Sequence, residues 1–198
     1  MSVLARLKEE TKSLHEMTEA LLLGPRIMAG ELTPDEYKLL LAVNFAFHAP
    51  LEAAIRQHAG FFAGYEATQR RKTPGLLTDI KAMDEELPDI DMDFFRNWTP
   101  YQLLGAAYVA EGSTLGSRFI SNALKKNRHL PQAAQHSAFY EGYGPETGNR
   151  WQTFRSFLSG LAIGHEDQVV GGALAAFQAY RELFLSLSTP VEQPERFV

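Results

Sequence analysis

Thr99-Pro100-Tyr101-Gln102-Leu103-Leu104-Gly105-Ala106-Ala107-Tyr108-Val109-Ala110-Glu111-Gly112-Ser113-Thr114-Leu115-Gly116-Ser117-Arg118 opens as a helix should and then departs from helical habit. Thr99 stands where an N-cap belongs, Pro100 at the first helical position and Gln102 where a capping box has its reciprocal partner. Further on, Gly105, Gly112 and Gly116 fall at i, i+7 and i+11, one stripe of a helix. Each glycine inside a helix costs about 1 kcal/mol relative to alanine, so three in line need a reason. One is close packing against another helix. The other is a flat ligand lying on bare backbone where the helix can bend. Ser113, Thr114 and Ser117 flank the stripe and are placed to hold ordered water beside such a ligand.

The same punctuation recurs along the chain. Thr33-Pro34-Asp35-Glu36 has the cap, the proline and the capping-box acid, and Thr73-Pro74-Gly75 repeats the cap without the acid. Helical periodicity predicts a first helix carrying Leu4, Leu7, Thr11, Leu14, Thr18 and Leu21 and ending near Gly24-Pro25. Others are expected from Pro34 towards Gly60, Pro74 to Glu86, Pro100 to around Asn127, Glu146 to Leu161, and Glu166 to just before Pro190. Asp89 to Asp93 reads as a loop, and Gly142 and Gly144 lie in a looser region. No alternating run bounded by hairpin turns is found. The expectation is a single all-α domain over residues 1–188 with a frayed tail from Thr189 to Val198.

Composition narrows the chemistry. The 198 residues contain no cysteine, which removes disulfides, iron–sulfur clusters and thiol nucleophiles. A formal charge of −5 argues against nucleic acid as a partner. Two basic runs, Arg70-Arg71-Lys72 and Lys125-Lys126-Asn127-Arg128, read as solvated helix ends, or as a docking patch for an acidic redox protein. No run is expected to span a membrane, and Met1-Ser2-Val3-Leu4-Ala5-Arg6 enters an amphipathic pattern directly, so a cytoplasmic location is expected. His15-Glu16-Met17-Thr18-Glu19 lacks the second histidine of a zinc-protease helix. There is no Glu-x-x-His pair for a di-iron bundle, no phosphate loop and no Gly-x-Ser-x-Gly elbow.

His15 lies four residues after Thr11 and eight after Leu7, beside the apolar stripe. It suits either a hydrogen-bonded boundary residue or a ligand. Lys8 precedes it by two turns on nearly the same face, about 10 Å along the axis. His48, with Glu52 one turn on, is a rival that reads better as a packed residue. His58, His129, His136 and His165 fall near helix ends or loops, where exposure is expected.

Taken in order, Leu7-Lys8, Leu14-His15-Glu16 with Glu19, Tyr108-Val109-Ala110-Glu111-Gly112-Ser113-Thr114-Leu115-Gly116, Gly142-Tyr143-Gly144 and Arg150-Trp151-Gln152-Thr153-Phe154-Arg155 form a set. That set resembles the bacterial haem oxygenase family, nearest its phytochrome-associated branch, over about residues 4 to 185. The resemblance implies a haem-oxygenase-like fold with haem between a proximal first helix and a glycine-kinked distal fourth helix. It implies His15 as the iron ligand, Glu19 orienting it, and Gly112 and Gly116 lining the distal face with room for O2. Lys8 and Arg155 would meet the propionates, with Arg150 a looser match, and Tyr143 would touch the ring. Ser113 stands where many members carry an Asp that organises distal water, and a hydroxyl is the poorer acceptor.

The activity so implied is oxidative opening of haem to biliverdin with release of CO and ferrous iron. Haem is both cofactor and substrate, and electrons come from an external donor such as a ferredoxin or reductase. A bilin-accepting photoreceptor is a further implied partner. The alternatives are a haem carrier or sensor on the same fold, and a thiamin-degrading relative of similar architecture. The latter in its usual form needs a nucleophilic cysteine.

Overall fold

The structure, a computed structural model, describes residues 1–131, 133 and 136–188. The N-terminal stripe is buried as expected, with Leu7, Thr11 and Thr18 inside and Leu4, Leu14 and Leu21 half-buried. Its helix is in two pieces, α1 (Val3–Glu10) and α2 (Lys12–Leu21). The Thr11 and Thr18 hydroxyls donate to the carbonyls of Leu7 and Leu14 at 2.6 and 2.7 Å, a back-bonding that bends helices. The backbone ladder still runs through the joint, from Thr11 N to Leu7 O at 3.1 Å and from His15 N to Thr11 O at 2.9 Å. An unexpected short helix, α3 (Gly24–Ala29), follows Leu23 and closes on Gly30, both at positive φ.

Helix α4 (Pro34–Gln57) starts on the expected Thr33–Glu36 capping box. By length and composition it is apolar enough to cross a bilayer, contrary to the expectation that no run would be. The reason is its place: 72% of that stretch is buried inside the protein. Val43, Phe47 and Leu51 face one hydrophobic cluster and Leu40, Leu41 and Phe45 the other. A helix apolar on all sides is one surrounded by core.

Helix α5 (Thr73–Ala82) begins where expected for a different reason. Thr73 is inside the helix and is not the cap. The Glu52 carboxylate of α4 takes that role, accepting from Lys72 N at 2.5 Å, Thr73 N at 3.0 Å and the Thr73 hydroxyl at 2.7 Å. The helix stops short of Glu86, with Asp84 turned to φ 58°. The Asp79 carboxylate in turn accepts from the amides of Ala138 and Phe139, at 2.8 and 2.9 Å, at the start of α8 (Ala138–Glu141).

The expected fourth helix is divided into α6 (Pro100–Gly112), a 3-10 turn (Ser113–Gly116) and α7 (Ser117–Lys126). Further 3-10 turns lie at Ala63–Tyr65, between α4 and α5, and at Gly144–Glu146, which leads into α9 (Thr147–Leu161); α10 (Glu166–Ser188) follows. No strand occurs among the described residues, and the tail expected to fray lies outside them. Helix α6 lies closely against α10. A Cβ on Gly105 would sit 2.1 Å from the Val169 carbonyl oxygen and 2.5 Å from Ala173 N, and one on Gly172 would sit 2.3 Å from the Gln102 oxygen. Gly105 is therefore a packing glycine.

Candidate functional site

Gly112 (φ −60°, ψ −37°) and Gly116 (φ −84°, ψ −11°) frame the break after α6 in backbone conformations open to any residue. A Cβ on Gly116 would meet nothing within 4 Å, and one on Gly112 only a Trp151 ring carbon at 3.9 Å. Neither backbone strain nor packing requires a glycine at these two positions. What they provide is bare backbone beside open space. Leu115 and Phe119 are large apolar side chains left exposed in the same segment.

The hydroxyls at the bend are occupied. Ser113 donates to the Ala110 carbonyl at 2.8 Å, Thr114 to that of Glu111 at 2.7 Å, and Ser117 to that of Thr114 at 2.6 Å. These bonds tighten the 3-10 turn. While they stand, each hydroxyl can accept from water but has no proton to give it.

His15 sits on α2 with its side chain half-exposed. Its Nε2 is 3.6 Å from Glu19 Oε1, beyond a good hydrogen bond, and its ring meets Phe177 of α10 edge-on at 5.8 Å. Met17 is exposed on the same helix. Lys8 is exposed on α1, and the unbroken ladder keeps it two turns from His15. Arg155 is exposed on α9. Burial raises the Tyr108 phenol pKa and the Arg155 guanidinium opposes that rise. Tyr108 also meets Trp151 at 5.7 Å. Arg150 is instead paired with Glu66 at 2.8 Å.

Sequence reasoning missed the most elaborate polar feature. Glu111, immediately before Gly112, is 1% exposed. Its carboxylate accepts from Arg70 Nη1 at 2.6 Å, Lys72 Nζ at 2.8 Å, the Tyr65 hydroxyl at 3.2 Å and the Tyr143 hydroxyl at 2.9 Å. Lys72 Nζ also donates to the Tyr143 hydroxyl. The run Arg70-Arg71-Lys72 is thus neither a solvated helix end nor a docking patch. Arg71 alone is exposed, paired with Glu52 at 3.4 Å, while Arg70 and Lys72 are buried. Burial lowers the Lys72 pKa and Glu111 opposes it; burial and then the Glu111 charge raise the pKa values of both Tyr65 and Tyr143. A signal was present: Glu111 lies seven residues after Leu104 on a buried face, where a charge must find partners.

His48 is buried, its Nε2 3.1 Å from the Tyr180 hydroxyl. Burial first, and Lys72 second, lower its pKa to about 3. In the unfolded chain its pKa returns to about 6.5. The unfolded state therefore binds the extra proton between those values, and stability falls as pH drops through that window. Denaturant titrations at pH 7 and pH 5 should show a loss approaching ~1.4 kcal/mol per pH unit below 6.5, largely absent in His48→Gln. His165 is half-buried, stacked on Tyr101 at 3.8 Å, where exposure was expected. His58 is also half-buried, and His129 and His136 are exposed.

A family model described as "Heme oxygenase" matches residues 1–81 and 62–186. No curated protein gives a significant match. Among solved structures, the haem oxygenase of Leptospira interrogans superposes with a TM-score of 0.78 at 15% identity, covering 94% of this chain and 100% of that one. The NO- and CO-bound haem oxygenase of Neisseria meningitidis gives 0.77 at 21% identity, with 100% and 98% covered. Haem oxygenase-1 of the cyanobacterium Synechocystis, solved with haem, gives 0.76 at 17% identity, with 95% and 93% covered. At these identities the structural likeness is one of fold.

Proposed function

The chain belongs to the haem oxygenase family, and from that premise we propose that it holds haem between α2 and the α6–α7 bend and opens it to biliverdin. The observation that carries this reading is the pair of glycines at the bend, Gly116 with open space above it and Gly112 with only a Trp151 ring carbon in reach. A flat macrocycle is the kind of ligand that bare backbone admits and a side chain would exclude.

The chain's other residues fit that ligand. Among the described residues no group of three or more His, Asp or Glu side chains is arranged for a metal. A single histidine suffices to hold haem iron, because the macrocycle supplies the in-plane ligands, and His15 is exposed for that task. Glu19 stands close enough to favour one orientation of its ring. Lys8 and Arg155 offer cations to the propionates, Arg155 with a fork suited to a carboxylate. Leu115, Phe119 and Met17 supply exposed apolar surface for the ring's faces.

Bound haem supplies the oxygen chemistry, in which a meso carbon is hydroxylated and the ring opens with release of CO and ferrous iron. The protein fixes the ring's position, excludes bulk water and leaves lone pairs of Ser113 and Thr114 to orient the water that remains. Electrons come from an external donor, a ferredoxin or reductase. A cytoplasmic setting and delivery of the bilin to a photoreceptor belong to the same proposal.

The test is to mix purified protein with hemin, add ascorbate in air with catalase present, and follow the Soret and long-wavelength bands together. A Soret band that decays as biliverdin absorbance grows is the expected result. The committed hydroxyl protons at the bend favour a second reading, a non-degrading haem carrier or sensor. A complex whose Soret band persists would establish that one. Failure to bind hemin would overturn both.

A further inference from the structure

We propose that the buried cluster around Glu111 is a clamp that fixes the bend between α6 and α7, which makes Glu111 a positioning residue for the pocket. Its functional consequence rests on the haem reading above; its geometry does not.

Glu111 is the last side chain before the first pocket glycine. Through its carboxylate it ties the end of α6 to two other parts of the chain. Tyr65, Arg70 and Lys72 come from the segment between α4 and α5, and Tyr143 from the loop before α9. Arg70 extends the tie into α9 itself, donating to the Arg150 carbonyl at 3.1 Å and the Thr153 hydroxyl at 2.9 Å. The guanidinium carbon lies over the Tyr65 and Phe154 rings, 5.4 and 5.8 Å from their centroids. At the other end of the bend, Gly142 presses on the 3-10 turn. A Cβ there would lie 2.7 Å from the Ser117 hydroxyl, and its φ of +56° suits glycine. The turn is thus held at both ends by the chain beneath it.

The chemistry of the clamp follows from what the bend lacks. Gly112, Gly116 and a short 3-10 turn give little rigidity of their own, and Leu115 and Phe119 beside them are exposed. Apolar burial is non-directional and would hold such a segment loosely. A carboxylate fixed by two cations and two phenols has few alternative arrangements. Replacing a buried ion pair with apolar side chains is often neutral or stabilising. Net stability is therefore a weak reason for this one, and a fixed location for Gly112 is a better one. The two cations facing one carboxylate are tolerated because carbonyls share the load: Lys72 Nζ also donates to the Arg70 carbonyl at 2.8 Å.

Hydrogen exchange on the protein without haem tests the clamp directly, using Glu111→Gln and Tyr143→Phe beside the parent. Amides of residues 113–118 should exchange roughly tenfold faster in Glu111→Gln and a few-fold faster in Tyr143→Phe, with α10 amides unchanged. Tyr143→Phe removes only a hydroxyl, so it keeps the test open if Glu111→Gln does not fold. Unchanged exchange at the bend in every variant that folds, or faster exchange spread equally through α10, would overturn the clamp. With haem added, the distribution of biliverdin isomers should shift in Glu111→Gln while its hemin affinity stays within about threefold. A loosened bend with an unchanged isomer pattern would overturn the positioning role. If the parent does not bind hemin, the family activity fails, and the exchange measurement still decides the clamp.

Discussion

His15→Ala should retain its fold and lose haem degradation by on the order of a hundredfold, since even partners outside a metal's first shell alter its affinity ten- to a hundredfold. The two parts of this expectation have separate causes. Structurally His15 contributes little: it is half-exposed, its nearest acid is 3.6 Å away and its ring contact is one edge of Phe177. Truncations of this kind usually change stability by no more than ~0.5 kcal/mol, and thermal unfolding of the unliganded protein should confirm that. Chemically it is the one histidine that combines exposure with the α2 face next to Lys8, because His48 is buried against Tyr180. Absorbance should show a weakened, displaced Soret band that ascorbate no longer converts to biliverdin. Added imidazole should restore part of both, because the truncated site opens to solvent. Glu19→Gln should move the spectrum slightly and leave turnover largely intact. A His15→Ala protein that degrades hemin at the parental rate would place the ligand elsewhere.

The capping chemistry was legible where a residue acts on its own neighbours. Thr33 and Thr99 each form the reciprocal box their sequence announces, because both partners lie within one turn. Thr73 shows the limit. The same Thr-Pro start is capped by Glu52, a residue on another helix, and no local pattern reveals that. The glycine stripe divides for a similar reason. Gly105, Gly112 and Gly116 look alike by spacing, but only the position of α10 distinguishes a glycine pressed on Val169 from two that have room for a methyl group. The basic run at 70–72 misled because charge was judged by composition, while the acid that draws Arg70 and Lys72 inward is some forty positions away, at 111. Long-range pairing of charges on buried faces is what a single sequence conceals. A carboxylate on an apolar face is the hint it does give.

That division of the glycines leads to opposite outcomes for the same substitution. Gly112→Ala and Gly116→Ala together should stabilise the unliganded protein by ~1–2 kcal/mol, since both backbones are helical and alanine is preferred there. For a chain of this length the thermal midpoint should rise by about 2–8 °C. Haem turnover should fall at least roughly tenfold, equivalent to about 1.4 kcal/mol in the barrier, because the added methyls occupy the backbone face on which the ring and its O2 would lie. Gly105→Ala should do the reverse. Its methyl would meet backbone atoms of α10 at 2.1 and 2.5 Å, and forcing the helices apart should cost about 2–3 kcal/mol while turnover per folded molecule stays near parental. Paired measurements of unfolding and ascorbate-driven biliverdin formation on the three proteins separate the two roles. A Gly112→Ala/Gly116→Ala protein that gains stability and keeps full turnover would remove the glycines from the haem pocket and, with them, the observation on which the proposed function rests. A protein that loses both would mean that these glycines, like Gly105, serve the fold. Only a gain in stability coupled to a loss of turnover shows that the chain forgoes helix stability at these two positions to keep its surface bare for a ligand.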